Sequence, residues 1–396
     1  MHFPRMAVAA AALMAVAGSA STQSRNTGPI ATYWMTAKTT SGMPAMGPGA
    51  SPMVMMSAMT ASGAAQQSLL LQLGSTQAAE RRAEADHLPP AGLGVGPRLS
   101  LSIKTEARSG DAPIDQMPTG APRVLIYFSC GHETKTRQPI SVRLDQDGAR
   151  QLSAIMAGHR VTPSSPPSPS NSRTYAEWPT SSVRAQSPTG SLVGEHVVKG
   201  AYTPDIRFSL DASQDFLAPL VLTGLGQPGP IRLGWNSIPN AKGYFVTTIG
   251  QNQAGDMVVW TSSETAAFPM HIPELLSPAD LTRLQGARTI LPATATSCAI
   301  PTAVTTSAPD SMLRVIAFGG EANFAWPPRP TQPGAVWNIE SMVKVRYNST
   351  AGAILSMEAD EATADEDAAP ANPMDILPGG QAARALGSAL GRFRKR

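Results

Sequence analysis

The residues with the richest chemistry stand together at Cys130-Gly131-His132-Glu133, and Cys298 is the only other cysteine of the chain. Two lone cysteines, if the chain reaches an oxidising compartment, point to a disulfide, here one that closes a loop of about 170 residues and ties two parts of the fold together. Such a closure contributes roughly 4 to 5 kcal/mol on chain-entropy grounds. The same residue types support two other chemistries: Cys130, His132 and Cys298 could ligate zinc or copper, or Cys130 could act as a nucleophile with His132 as its base. Residues two apart at an extended strand end point the same way, so geometry leaves the metal reading open. The Cys130–Cys298 disulfide is the expectation carried forward.

A second soft-ligand set lies near the N-terminus, where Met35, Met43, Met46, Met53, Met55, Met56 and Met59 cluster. Thioether sulfur suits Cu(I), and Met53, Met55, Met56 and Met59 together with Cys130 and His132 define the alternative of a Met-rich periplasmic copper-binding protein. Residues 41–67 are otherwise mostly Gly, Ala, Ser and Pro, a composition that buries too little surface to offset its ordering entropy. In that setting Met also serves as an adaptable apolar filler.

Other catalytic patterns fail on context. Gly224-Leu225-Gly226-Gln227-Pro228-Gly229 matches the dinucleotide fingerprint, but Pro230 leads into a strand and not into the helix the motif must open. No GxSxG elbow, HExxH, phosphate-binding loop, acidic calcium loop or CxxC occurs. The histidines at 2, 87, 132, 159, 196 and 271 are scattered. A triad needs neighbours only in space, so a hydrolase with a convergent site stays as a second alternative. No cofactor is expected.

The elements that would position these residues read as mainly β, arranged as two antiparallel β-sandwich-like domains. Charged residues make up only 15% while Gly (34) and Pro (36) abound, which suits short strands joined by turns better than exposed helices. A net charge of +3 on 396 residues gives no footprint for nucleic acid. Residues 1–20 read as a signal peptide, with a basic start, the apolar run Met6 to Gly18 and small residues for cleavage. The chain is therefore expected to be exported, periplasmic or extracellular, and soluble.

Beyond the strand-plus-Met segment at 21–67, a first β domain is expected over 68–225 with a Ser/Pro-rich insertion at 162–172, in which Gln151 to Met156 adds one helical turn. The charged stretch Glu80 to His87 reads as a solvated loop. Ser277-Pro278-Ala279-Asp280 opens a short helix through Leu284, with Ser as cap and Pro in the first position. Thr296 to Val304 and Met312 to Phe318 read as closing strands, and 334–357 as a strand returning to the first domain. The tail, 358–396, begins with six acids between Glu358 and Asp367 and ends with five basic residues from Arg384 to Arg396, which can touch an anionic membrane surface.

In the stretch Gln227 to Thr261, Leu233-x-Trp235, Ala241 and Tyr244-x-Val246 resemble the second and third strands of a fibronectin type III-like, immunoglobulin-like β-sandwich. The resemblance implies that 227–333 is such a sandwich with Trp235 and Tyr244 in its core, and it carries no activity with it. Fibronectin-like domains usually carry a corner Tyr before the sixth strand, and none stands here. The overall texture is similar to uncharacterised exported proteins of Gram-negative bacteria. The function expected is a non-enzymatic structural or binding role in the cell envelope, toward an envelope protein or glycan, with Trp178, Trp326 and Trp337 as contact candidates because each lies beside Pro or a loop.

Overall fold

Alternation decides the first strand, β1 (Ala31–Gly42): Tyr33, Met35 and Ala37 turn into the core while Trp34, Thr36 and Lys38 line the opposite face. The structure is a computed structural model and describes residues 28–42, 65–80, 83–106, 123–179, 188–225 and 230–356. The expected signal peptide, the residues Met53 to Met59 and the charged tail lie outside them. The strands that follow are β2 Gln66–Ser75, β3 Ala85–Leu88, β4 Leu99–Ile103, β5 Arg123–Phe128, β6 Ile140–Arg143, β7 Thr174–Trp178, β8 Gly194–Gly200 and β9 Thr203–Leu210. After them come β10 Leu222–Thr223, β11 Ile231–Trp235, β12 Gly243–Gln251, β13 Met257–Thr261, β14 Leu291–Pro292, β15 Ser297–Ile300, β16 Met312–Trp326 and β17 Ser341–Ile354. The helices are α1 Gln146–Ala157, α2 Pro278–Gly286 and α3 Thr302–Ser307. Among the described residues strand outweighs helix by 42% to 13%, so the mainly β class holds.

One open, mixed sheet of 14 strands runs in the order β6-β5-β13-β12-β16-β17-β1-β2-β7-β4-β3-β8-β9, with β14 beside β12, and a second sheet runs β10-β11-β15. Parallel pairing occurs at β1 with β17 and at β5 with β13. Both of these ladders cross the boundary expected near 225. The buried apolar cluster crosses it too, reaching from Tyr33 and Leu71 to Trp235 and Val315, and the described residues all lie in one compact unit, Met1–Ala359. Strand β17 reaches β1 in full register from Ala31↔Ser341 to Gly42↔Gly352, while its other edge pairs with β16. The Pro-rich run after Trp326 is thus the connection within a hairpin and not the end of a domain. At the far end the sheet curls over: Phe208 of β9 packs 6.2 Å from Tyr33 and 5.5 Å from Phe324, ring centre to ring centre.

The opposite face of the sheet is covered in turn by α1, α2 and the Ser/Pro segment. Helix α1 starts earlier than the single turn expected, because Asp145 caps it by accepting from Gly148 N at 2.8 Å. Gly148 is required there, since a Cβ would come within 1.6 Å of Arg143 O. Helix α2 forms as expected, Ser277 accepting from Asp280 N while Leu281 and Leu284 bury. The segment 162–172 then runs across the sheet as a strap. Thr162 N donates to Asp280 Oδ2 (3.1 Å), Arg346 donates to Ser164 Oγ (3.0 Å), and Gln72 donates to Pro167 O (3.4 Å).

Three local expectations are corrected. The charged run ending at His87 is not a solvated loop throughout, because Ala85–Leu88 pairs with both β4 and β8 and His87 is fully buried. Residues beyond Ile300 leave the ladder, since Pro301 offers no N–H to continue it and heads α3 instead. Trp178 is discussed below.

Candidate functional site

Cys130 and Cys298 are bonded, with their Cα atoms 5.2 Å apart, and no free cysteine remains. The bond joins the segment following β5 in the large sheet to β15 in the small one. Neighbouring contacts hold both ends: Gly131 N donates to Ala299 O (2.9 Å), Thr302 N donates to His132 O (3.0 Å), and the Trp260 indole donates to Ser129 O (3.0 Å). This corrects the metal and nucleophile alternatives at Cys130, whose sulfur is committed to Cys298 and is no thiolate. His132 is exposed beside Arg232, whose Nη2 lies 3.4 Å from its Nε2. No group of three His, Cys, Asp or Glu suited to a metal occurs among the described residues. Met35, the first of the Met series, is a fully buried core residue.

Two histidines that the sequence left scattered meet in the core. Tyr33 Oη lies 2.9 Å from His87 Nδ1, His87 Nε2 lies 3.1 Å from His196 Nδ1, and His196 Nε2 lies 2.7 Å from Leu192 O. The carbonyl can only accept, so His196 Nε2 donates to it. His196 Nδ1 then accepts from His87 Nε2, and His87 Nδ1 accepts from the Tyr33 hydroxyl. Each nitrogen has one role and both rings are neutral. Burial, and then the neighbouring His196, push His87 well below the ordinary histidine value. Burial also lowers His196, against the opposing pull of the Leu192 carbonyl. Burial raises the Tyr33 hydroxyl. With both nitrogens of each ring committed, neither histidine can take a proton from a nucleophile. His159 is likewise occupied by Thr289 Oγ1 (2.9 Å) and Ala266 O (2.8 Å).

The recess beside α3 has a volume of about 260 Å³ and is lined by Thr302, Thr305, Thr306, Pro309 and neighbouring aliphatic side chains, without a titratable group. It offers no acid–base chemistry. None of the family models, curated proteins and solved structures compared with this chain matches it.

The three tryptophans fall in different places. Trp178 is a correction: it sits on β7 opposite Leu71 and is only 5% exposed, so it is a core side chain. Trp326 ends β16 and is 57% exposed. Trp337, half-buried, returns over the same connection, donating its indole N–H to Pro327 O (2.9 Å) with the Arg329 guanidinium 5.8 Å from its ring centre. Val336 is exposed beside it. The tip of the β16–β17 hairpin therefore presents one exposed indole, one braced indole and a cation. Nothing in the sequence separates Trp178 from Trp326, since both precede Pro. Among the described residues no helix is long and apolar enough to cross a membrane.

Proposed function

We propose that the chain is an exported, non-enzymatic β-sandwich protein of the cell envelope that works by binding an envelope protein or glycan through the tip of the β16–β17 hairpin. Trp326 carries the reading: a large aromatic side chain left 57% exposed at the end of a rigid two-stranded element is unusual except at a contact surface. The braced Trp337 and Arg329 add the amphipathic and cationic groups that such surfaces favour. The disulfide supports an oxidising compartment.

The fibronectin type III-like arrangement belongs to the same reading. What supports it is the order β10-β11-β15 in one sheet against β13-β12-β16-β17 in the other, with Trp235 and Tyr244 packed between them, ring centres 5.4 Å apart. The strands β1 to β9 would then be an elaboration grafted onto this sandwich.

Co-sedimentation of the purified chain with isolated envelope glycan and with envelope protein fractions tests the binding role. Trp326→Ala should lose most of the retained protein while keeping the unfolding midpoint of the parent. Equal retention of parent and variant would refute the proposal.

A further inference from the structure

On the sheet face under the Ser/Pro strap, charged side chains from three segments meet around Glu274. Glu274, from the segment before α2, is clamped by both Lys38 of β1 and Arg314 of β16. Asn348 of β17, itself fully buried, donates to Glu274 O (3.1 Å) and approaches its Oε2 at 3.5 Å. Next along the face, Arg346 stacks 4.5 Å from the Trp34 ring centre and donates to Thr36 and Ser164, while Lys344 pairs with Glu321 at 2.5 Å. With Lys344 balanced by Glu321, one carboxylate, Glu274, is shared by Lys38 and Arg314. The side chains of Lys38, Glu274 and Arg314 are 33%, 29% and 23% exposed, so the cluster is open to solvent at its rim.

Two buried polar atoms at this point have no hydrogen-bond partner among the described residues: the Nε–H of Arg314, a donor, and Oδ1 of Asn348, an acceptor. Both residues already hold the same Glu274 carboxylate through their other nitrogens, which brings the pair to one small locus. An orphaned donor beside surplus positive charge suits an oxygen anion. An orphaned acceptor at the same place suits a ligand that brings a hydrogen of its own.

We propose that Lys38, Arg314 and Asn348 form a binding site for a small oxyanion that carries a hydroxyl, of which hydrogenphosphate is the simplest example. Arg314 and Lys38 supply charge, Arg314 Nε donates to an oxygen, and Asn348 Oδ1 accepts from the hydroxyl. A plain carboxylate satisfies the donor and leaves the acceptor unmet, so acetate binds more weakly. Burial, and then the charge of Arg314, lower Lys38 to about 8, and burial lowers Arg314 to about 10. The charged groups around Lys38 are Glu274 from the segment before α2, Arg314 from β16 and Arg346 from β17; Ser68 of β2 faces it without charge. By linkage the anion should hold Lys38 protonated, and binding should weaken as the pH rises past about 8.

Titration calorimetry on the full mature chain, with phosphate, acetate and chloride at one ionic strength, tests the site. Phosphate should bind, acetate more weakly and chloride not measurably. Arg314→Gln should weaken phosphate about tenfold or more, the scale of losing one charge-assisted hydrogen bond. Should that variant fail to fold, the parent chain titrated between pH 7 and 9.5 keeps the test, with affinity falling through the Lys38 range. Phosphate no better than chloride, acetate equal to phosphate, or an affinity flat across that pH range would each overturn the proposal.

Discussion

His87 Nε2 lies 3.1 Å from His196 Nδ1, and both rings are fully buried. The hydrogens of the whole chain from Tyr33 to Leu192 O are fixed by its carbonyl end. A proton added to either ring places an imidazolium in an apolar core between Tyr33 and Phe208. This gives stability a pH dependence. Both histidines are held below their ordinary value in the folded chain, so the unfolded chain binds more protons in acid. Stability is complete above about pH 6.5 and declines below it, by about 1.4 kcal/mol per pH unit for each histidine still neutral in the fold. Urea unfolding from pH 7.5 to 4.5 measures the slope. The double variant His87→Phe/His196→Phe should flatten it, and an unchanged slope would contradict the assignment.

Breaking the bond between the sheets with Cys130→Ser/Cys298→Ser should cost about 2 to 5 kcal/mol, read as a fall in the urea midpoint. The loop it closes spans 168 residues, so the effect should sit in the upper part of that range.

Asp280 ties the strap to α2, accepting from Thr162 N, Ser277 Oγ and Arg283 Nη2. Asp280→Ala removes the acceptor for these donors and for the Thr162 hydroxyl, and should cost about 1 to 3 kcal/mol. Limited proteolysis should show new cleavage within 162–172. A variant as resistant as the parent would contradict this and leave the strap held by Gln72 and Arg346.

Trp178 and Trp326 should respond in opposite ways to substitution. Trp178→Ala empties a core position and should destabilise by about 3 to 5 kcal/mol, whereas Trp326→Ala should leave the unfolding midpoint within a degree or so of the parent.

The contrast between these two tryptophans shows where local reading stops. Alternation located β11 and β12, apolar, β-branched and aromatic runs marked β1, β2 and β16, and two lone cysteines made their pairing legible. Strand β3 was hidden because its buried members are a small Ala85 and His87, a residue type that enters a core only with a partner, and that partner stands on β8. Helix α1 was shortened because its polar first turn depends on the Asp145 cap and on close approach to Arg143, neither of which leaves an apolar periodicity. The parallel register of β1 on β17 has no local signal at all, since it joins residues some 310 positions apart. The Lys38–Glu274–Arg314 cluster was invisible for the same reason: its members come from three distant segments that only the sheet order brings together.

The measurement that tests the central claim of an exported, disulfide-tied protein most directly is the intact mass of the chain isolated from the envelope fraction, before and after reduction with thiol labelling. The predicted result is a chain lacking residues 1–20, two hydrogens lighter than its reduced form, and labelled at Cys130 and Cys298 only after reduction. A chain that keeps Met1 to Ala20 and labels at both cysteines without reductant would contradict it.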